Sequence, residues 1–195
     1  IVRGLRKVVI LVAAADASIE HEAEDRVRGI LADFPGIDSI VVGPAEIGSL
    51  HRRMEQLEFA DVLPAVGLGS YGAVRNVGLA VAAILGCDFV VFVDDDQVIA
   101  DPRFLEIAAE GIGETTTGGK TILAKSGYYT DEEGRYQIAG AAPWFDMFWR
   151  QDDAYNEALG VVAAPPRIRP SAVAFGGCLG IHRDMFMNVS FDPWV

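Results

Sequence analysis

The chain has few of the features that mark secreted or membrane-spanning proteins. Only two of its 195 residues are cysteines, Cys87 and Cys178. Both have apolar neighbours, so we expect two buried free thiols rather than a disulfide framework. No apolar run approaches the length of a membrane span, and no signal peptide is visible. These absences predict a reducing, cytoplasmic compartment and no transmembrane segment.

Basic residues are also scarce. Lysine and arginine together number 16 against 28 aspartates and glutamates, which gives a net charge of −12. This balance argues against nucleic acid or an anionic membrane surface as the main partner. It is compatible with a nucleotide, because a metal ion and helix N-termini can hold a diphosphate locally. With 51% hydrophobic residues, the chain has enough apolar surface for a folded core and is not expected to be disordered.

Strand and helix patterns alternate through the first half of the chain. The spacing predicts strands over 7–14, 37–42, 61–66 and 88–93, separated by helices over 18–33, 45–58 and 73–85 and followed by one over 101–111. Alternation at this spacing indicates an α/β fold with a largely parallel sheet between helical layers. The second half predicts a strand over 120–125, a hairpin over 128–138 turning at 131–134, and a short helix over 183–188. We expect one domain over 1–195, whose strands are parallel in the first half of the chain and mixed in the second.

The most informative motif is the acidic triplet Asp94-Asp95-Asp96, which ends the apolar run 89–93. Such a run predicts a strand buried on both faces. Three adjacent carboxylates repel one another, and a divalent cation would remove that cost because Mg²⁺ and Mn²⁺ prefer oxygen ligands. The carboxyl end of a central strand is also where open α/β sheets place ligands. A solvated acidic turn is the alternative.

Two glycine-rich segments imitate nucleotide-binding motifs. The stretch 67–72 matches GxGxxG, and Asp94 follows at the spacing of a ribose-binding acid, which would suit an NAD-dependent enzyme. However, two strand–helix units precede it, whereas the fingerprint normally occupies the first. The stretch 118–121 resembles the end of a P-loop, but Glu114 stands where that motif needs glycine. It is more simply a turn.

Other side chains carry weaker signals. Arg75 and Asn76 begin a helix, where an arginine could meet a phosphate or could simply lie at the surface. His182 could complete a cation site built on carboxylates, although a single histidine is usually structural. The aromatic residues of the segment 143–149, including Trp144, could stack on a sugar ring or could pack in the core.

Together these motifs resemble the GT-A glycosyltransferases, especially family 2. The matching stretches are the helix start around Arg75-Asn76-x-Gly78, the strand ending in a DxD-type triplet, the segment 101–105, and the glycine-rich segment 175–186 followed by Phe191-Asp192-Pro193. The resemblance implies a Rossmann-like three-layer sandwich. It implies transfer of a sugar from a UDP, GDP or dTDP sugar to an acceptor hydroxyl, with inversion more expected than retention.

The resemblance also assigns site residues. Asp94 would contact the ribose and, with Asp96, would hold a Mn²⁺ or Mg²⁺ cofactor, while Asp95 belongs to the nucleotide-binding turn in a structural role. The remaining assignments are grouped by function: nucleotide binding at Ala13, Ala15 and Arg75, metal binding at His182, and the acceptor side at Gly176, Gly177 and Trp144. The first two strand ends would cradle the base.

Two features leave alternatives open. The segments 13–16 and 43–46 differ from the family's base-binding pattern, so the donor base is not predicted. The family's acidic general base follows the Phe-Asp-Pro segment, and we expect it beyond Val195, in a chain cut on its C-terminal side. A nucleotide-sugar pyrophosphorylase or other nucleotidyltransferase, and a non-catalytic nucleotide-sugar-binding module, are the competing hypotheses.

Overall fold

A computed structural model describes residues 7–14, 16–137, 144, 148, 151–162, 168–171 and 174–194. Within these residues the chain forms helices and strands in a mixed α/β arrangement. The strands are β1 (Val8–Leu11), β2 (Ser39–Val42), β3 (Phe89–Val93), β4 (Ala124–Ser126) and β5 (Cys178–His182). The α-helices are α1 (Glu20–Ala32), α2 (Pro44–Gln56), α3 (Tyr71–Ile84), α4 (Phe104–Ala109), α5 (Gln151–Val162) and α6 (Arg183–Phe186).

The chain divides into two compact units. Unit 1 comprises Ile1–Val90 together with His182–Val195, and unit 2 comprises Val91–Ile181. The boundary falls within β3 and at the last residue of β5. The expectation of one domain over the whole chain stays a prediction.

Unit 1 contains a parallel pair of strands. β1 pairs with β2, with Val8 opposite Ser39 at one end and Leu11 opposite Val42 at the other. Helix α1 connects the two strands. The core of this unit is formed by Val42, Ile47 and Val77, and partly buried residues of β1, β2 and α3 pack around them. The predicted parallel strand–helix–strand unit at the start of the chain is therefore confirmed.

The two strands of the second half, β4 and β5, form a three-stranded sheet with β3 in the order β3-β5-β4. β4 and β5 are antiparallel, with Ala124 opposite Ile181 and Ser126 opposite Leu179. This pairing confirms that the second half departs from the parallel order of the first. Among the described residues, no helix is long and apolar enough to cross a membrane.

Two predicted elements are wrong. The residues predicted as a strand over 61–66 form a 3-10 helix, Ala60–Ala65, because Pro64 has no N–H to donate to a strand ladder. Over 128–137, no strands flank the predicted hairpin turn. The turn itself is present. The N–H of Gly134 donates to the carbonyl oxygen of Asp131, and the N–H of Asp131 donates to the carbonyl oxygen of Arg135.

Smaller differences concern the ends of elements and the cysteines. The proline-led helix is shorter than predicted, and Asp101 accepts a hydrogen bond from the N–H of Arg103 just before α4 begins. The last helix, α6, ends at Phe186 rather than near 188. Cys87 and Cys178 are free thiols, as predicted, although both are half-buried rather than fully buried.

Candidate functional site

The acidic triplet lies directly after β3, in unit 2, as the sequence predicts. Asp94 is half-buried, whereas Asp95 and Asp96 are exposed. The N–H of Gln97 bonds to the carbonyl of Asp94 at 3.3 Å and closes a turn over 94–97. The three carboxylates therefore have different surroundings, and Asp94 alone of the three is partly withdrawn from water.

Gly177 provides the space that the Asp94 side chain occupies. A Cβ atom at position 177 would collide with the Asp94 carboxylate and with the amide nitrogen of Gln97. Gly177 is itself buried, one residue before β5. The structure thus brings together two predicted site residues that are far apart in sequence, and it explains why residue 177 has no side chain.

Tyr129 completes this cluster, which we call the Asp94 cluster: Asp94, Gln97, Tyr129 and Gly177. The phenol oxygen of Tyr129 hydrogen-bonds with the side chain of Gln97 and the backbone of Gly177. Burial is the main cause that raises the pKa of Tyr129 above its usual value, and the nearby Asp94 charge acts in the same direction. The phenol is therefore protonated at neutral pH. Sequence reasoning identified neither Gln97 nor Tyr129.

The carboxylates suit a cation that a substrate helps to bind. No group of three or more His, Cys, Asp or Glu side chains is placed to hold a metal ion within the described part of the chain. Mg²⁺ and similar ions that bridge phosphates usually take only one or two carboxylates from the protein, with phosphate oxygens and water as the other ligands. Asp94 and Asp96 have the donor chemistry for such an ion.

Unit 1 contains a cavity of about 390 Å³ next to the carboxyl ends of β1 and β2. Its walls come from the segment after β1, the first turns of α1 and α2, and the glycine-rich turn: Ala14, Glu20, Pro44, Ile47, Gly48, His51, Leu68 and Gly69. This volume lies within the range of small-molecule pockets. Ala14 and Pro44 belong to the two segments, 13–16 and 43–46, that were expected to cradle the base, and that assignment stays a prediction.

The sequence did not single out Glu20 and His51, which supply the polar groups of this cavity. His51 is held by a short hydrogen bond between its Nε2 atom and the carbonyl oxygen of Val66. Glu20 is half-buried in the first turn of α1. A sequence signal existed for His51, because it follows Pro44 by seven residues, about two helical turns, and so lies on the same face of α2 as Pro44.

The start of α3 has a structural function that the sequence did not reveal. Ser70 caps the helix, accepting a hydrogen bond from the N–H of Ala73, and its hydroxyl donates to the carbonyl of Pro193 at 2.6 Å. A Cβ atom at Gly72 would collide with the carbonyl of Asp192. The two stretches that carry the family resemblance in unit 1 therefore pack against each other.

Arg75 is buried, with only 5% of its surface exposed, and its guanidinium carbon lies 3.4 Å from the centre of the Tyr71 ring. Its Nη1 atom also donates to the carbonyl of Tyr71 at 3.4 Å. The described residues that line the unit 1 cavity do not include Arg75. Its assignment to nucleotide binding stays a prediction.

The other predicted residues have varied surroundings. The Nδ1 atom of His182 accepts a hydrogen bond from the N–H of Asp184 and caps α6, so metal binding would depend on its Nε2 atom. Ala13 is exposed, Ala15 lies outside the described residues, and Gly176 is half-buried beside Gly177. Trp144 is 77% exposed, and its assignment to the acceptor side stays a prediction.

Comparison with known proteins adds no relative to this description. No family model matches the chain, and neither the curated proteins nor the solved structures contain a match.

Proposed function

We propose that this chain is the nucleotide-sugar-binding part of a metal-dependent glycosyltransferase with a GT-A-like three-layer fold. It would bind a nucleoside diphosphate sugar and transfer the sugar to an acceptor hydroxyl. The observation that carries the proposal is the packing of Asp94 against Gly177. This contact joins the acidic triplet to the glycine-rich segment, the two motifs that resemble the family most strongly.

Each site residue has a separate role in this proposal. Asp94 accepts hydrogen bonds from the ribose, and Asp96, exposed at the end of the turn, is a ligand of the cation. A bound Mn²⁺ or Mg²⁺ supplies Lewis-acid stabilisation of the charge on the departing diphosphate. The cavity in unit 1 lies where the resemblance predicts base recognition, with Glu20 and His51 as its polar groups. The proposal assigns no catalytic base.

Two observations disfavour a nicotinamide-dependent enzyme. The glycine-rich stretch 67–72 follows a 3-10 helix rather than a strand. Its last glycine, Gly72, is covered by the carbonyl of Asp192, which stands where a Cβ would be. In a dinucleotide site these glycines leave room for a pyrophosphate and for close helix–strand packing.

Binding calorimetry tests the proposal. UDP, GDP and dTDP are titrated into the protein with and without Mn²⁺, and at least one is expected to bind with Mn²⁺-dependent affinity. Asp96→Asn is expected to weaken that binding about 10-fold or more, because a charged ligand to the cation is lost. Glu132→Gln is the control, since it removes one exposed carboxylate from the same unit. Equal binding by Asp96→Asn and the wild type would contradict the proposal.

Product analysis separates the competing functions. Release of a nucleoside diphosphate from a nucleotide sugar supports a glycosyltransferase. Release of pyrophosphate from a nucleoside triphosphate and a sugar phosphate supports a nucleotidyltransferase instead. Metal-dependent binding with neither product supports a non-catalytic binding module.

A further inference from the structure

We infer that the cavity in unit 1 is selective for guanine and that Glu20 is the residue that selects this base. The inference rests on the proposed function, and it names GDP sugars as the donor class. The family resemblance leaves the base open, because the segments 13–16 and 43–46 differ from the family's base-binding pattern. Glu20 lies outside both segments.

The wall of this cavity is mostly apolar. Among the described residues that line it, only Glu20 and His51 have polar side chains, and the others are glycine, alanine, proline, isoleucine or leucine. Apolar walls suit the flat faces of a base, while a few polar groups at its edge determine which base binds. The volume, about 390 Å³, accommodates a two-ring base.

The imidazole of His51 has one nitrogen already occupied. Its Nε2 atom hydrogen-bonds with the carbonyl oxygen of Val66. Because a carbonyl oxygen can only accept, Nε2 carries the hydrogen and donates it. In the neutral ring the other nitrogen, Nδ1, has no hydrogen and can only accept. The neutral His51 side chain therefore offers a ligand no donor.

Glu20 adds a second acceptor to the cavity. It is half-buried in the first turn of α1, where the helix dipole favours a negative charge. An ionised carboxylate accepts hydrogen bonds and donates none. Both polar side chains of the cavity are therefore acceptors, and a ligand that fits them must supply the donors.

The same charge makes the diphosphate a poor occupant of this cavity. The Glu20 carboxylate repels a phosphate. The start of α2 offers little to offset this, because Pro44 has no N–H and the N–H of Gly43 donates to the Glu46 carboxylate at 3.0 Å. Of the parts of a nucleotide sugar, the base suits the apolar wall and the two acceptors best.

Guanine is the base whose edge matches a carboxylate. Its N1–H and its 2-amino group are adjacent donors, so each oxygen of one carboxylate can accept one hydrogen bond. Adenine and cytosine place an amino group beside a ring nitrogen that accepts, and uracil and thymine place one N–H between two carbonyl oxygens. In each of these four bases an acceptor would face Glu20 and be repelled. Glu20 therefore favours guanine.

Binding of GDP, UDP and inosine diphosphate, each with Mn²⁺, is measured by calorimetry. Inosine diphosphate keeps the N1–H of GDP and lacks its 2-amino group. We expect the wild type to bind GDP about 10-fold or more tightly than inosine diphosphate, because one hydrogen bond to a charged acceptor is lost, and to bind UDP more weakly still. Guanosine and inosine are compared by NMR titration without metal, and the same preference is expected there because neither needs a cation.

Glu22 provides a matched control for Glu20. Both lie in the first turn of α1, but Glu22 is exposed and is not among the described residues that line the cavity. Glu20→Gln replaces one acceptor oxygen by an NH₂ group, which opposes a donor of guanine, and it should lose most of the preference for GDP over inosine diphosphate. Glu22→Gln should keep that preference within about 2-fold, because an exposed charge is screened by water and salt.

The outcomes separate the inference from the proposed function. Tighter Mn²⁺-dependent binding of UDP than of GDP overturns the inference and leaves the proposed function standing. Selective guanosine binding without Mn²⁺-dependent binding of any nucleoside diphosphate supports the guanine site and contradicts the proposed function. Equal affinities of the wild type for GDP and inosine diphosphate overturn the inference without any variant. Equal losses of preference in Glu20→Gln and Glu22→Gln also overturn it, because they indicate a general effect of charge.

Discussion

The side-chain amide of Asn76 hydrogen-bonds to both the N–H and the carbonyl of Phe191. The Oδ1 atom of Asn76 accepts from the N–H of Phe191 at 2.8 Å, and its Nδ2 atom donates to the carbonyl of Phe191 at 3.0 Å. The same Nδ2 atom donates to the carbonyl of Ala65 at 2.9 Å. One buried side chain on α3 therefore holds both the end of the 3-10 helix Ala60–Ala65 and the loop at Phe191.

Replacing Asn76 should cost a large part of the stability. We expect Asn76→Ala to lower the free energy of unfolding by about 2–4 kcal/mol, because it leaves buried backbone groups of Ala65 and Phe191 unpaired. Urea unfolding followed by circular dichroism measures the change. Asn188→Ala is the control, since the Asn188 amide makes one exposed bond to the carbonyl of Asp184. A similar effect of both changes would contradict the assigned role of Asn76.

A pair of glycine substitutions should have opposite effects. Gly72→Ala places a methyl group into the carbonyl of Asp192 and should destabilise the protein by about 1–3 kcal/mol. Gly29→Ala lies within α1 with no heavy atom close to the new methyl group. It should stabilise the protein by up to about 1 kcal/mol through helix propensity. Thermal unfolding of both variants tests this, and a melting temperature that rises for Gly72→Ala would be inconsistent with the packing.

The ammonium group of Lys125 stabilises the end of α4. Its Nζ atom donates to the carbonyls of Ile107 and Glu110, at 2.5 and 2.8 Å. A cation at a helix C-terminus also interacts favourably with the helix dipole. We expect Lys125→Met to lower the free energy of unfolding by about 1–3 kcal/mol. Lys120→Met, at an exposed position, should change it by less than about 0.5 kcal/mol, and chemical denaturation of both variants provides the comparison.

The protein should lose stability at alkaline pH. Burial raises the pKa of the Cys178 thiol and of the Tyr155 phenol. When these pKa values are raised in the folded state, the native protein retains protons that the unfolded chain has already released. The free energy of unfolding therefore falls as pH rises through the unfolded thiol pKa, about 8.5. Denaturation at about pH 7.5 and 9.5 measures the fall, and Cys178→Ala should reduce it.

The elements of unit 1 could largely be predicted because their signals are local. The apolar strands β1 and β2 and the alanine-rich helix α3 were predicted within a few residues of their actual bounds. The 3-10 helix over the stretch 61–66 was not predicted, because a short apolar run has no periodicity that distinguishes a strand from a helical turn. Helix α5 was not predicted, because Gly160 and the polar residues at its start weaken the helical pattern. Two signals did favour a helix: the two acids in its first turn and the apolar Leu159, which is buried.

The candidate site could be predicted only as far as it depends on single elements. Asp94 was predicted because its position follows from one strand and its end. Gln97 and Tyr129 were not predicted, because their importance comes from contacts with Gly177, which lies 80 and 48 residues away in sequence. Such contacts depend on how the sheet pairs β4 with β5, which no local pattern encodes.

The bond between Asn76 and Phe191 has a consequence for the order in which the protein can fold during synthesis. Unit 1 is made of an early and a late segment, and the two bonded residues are 115 positions apart. All of unit 2 must therefore leave the ribosome before unit 1 can close. Until then, the face of α3 that Phe191 covers remains exposed, and contacts of such long range form slowly.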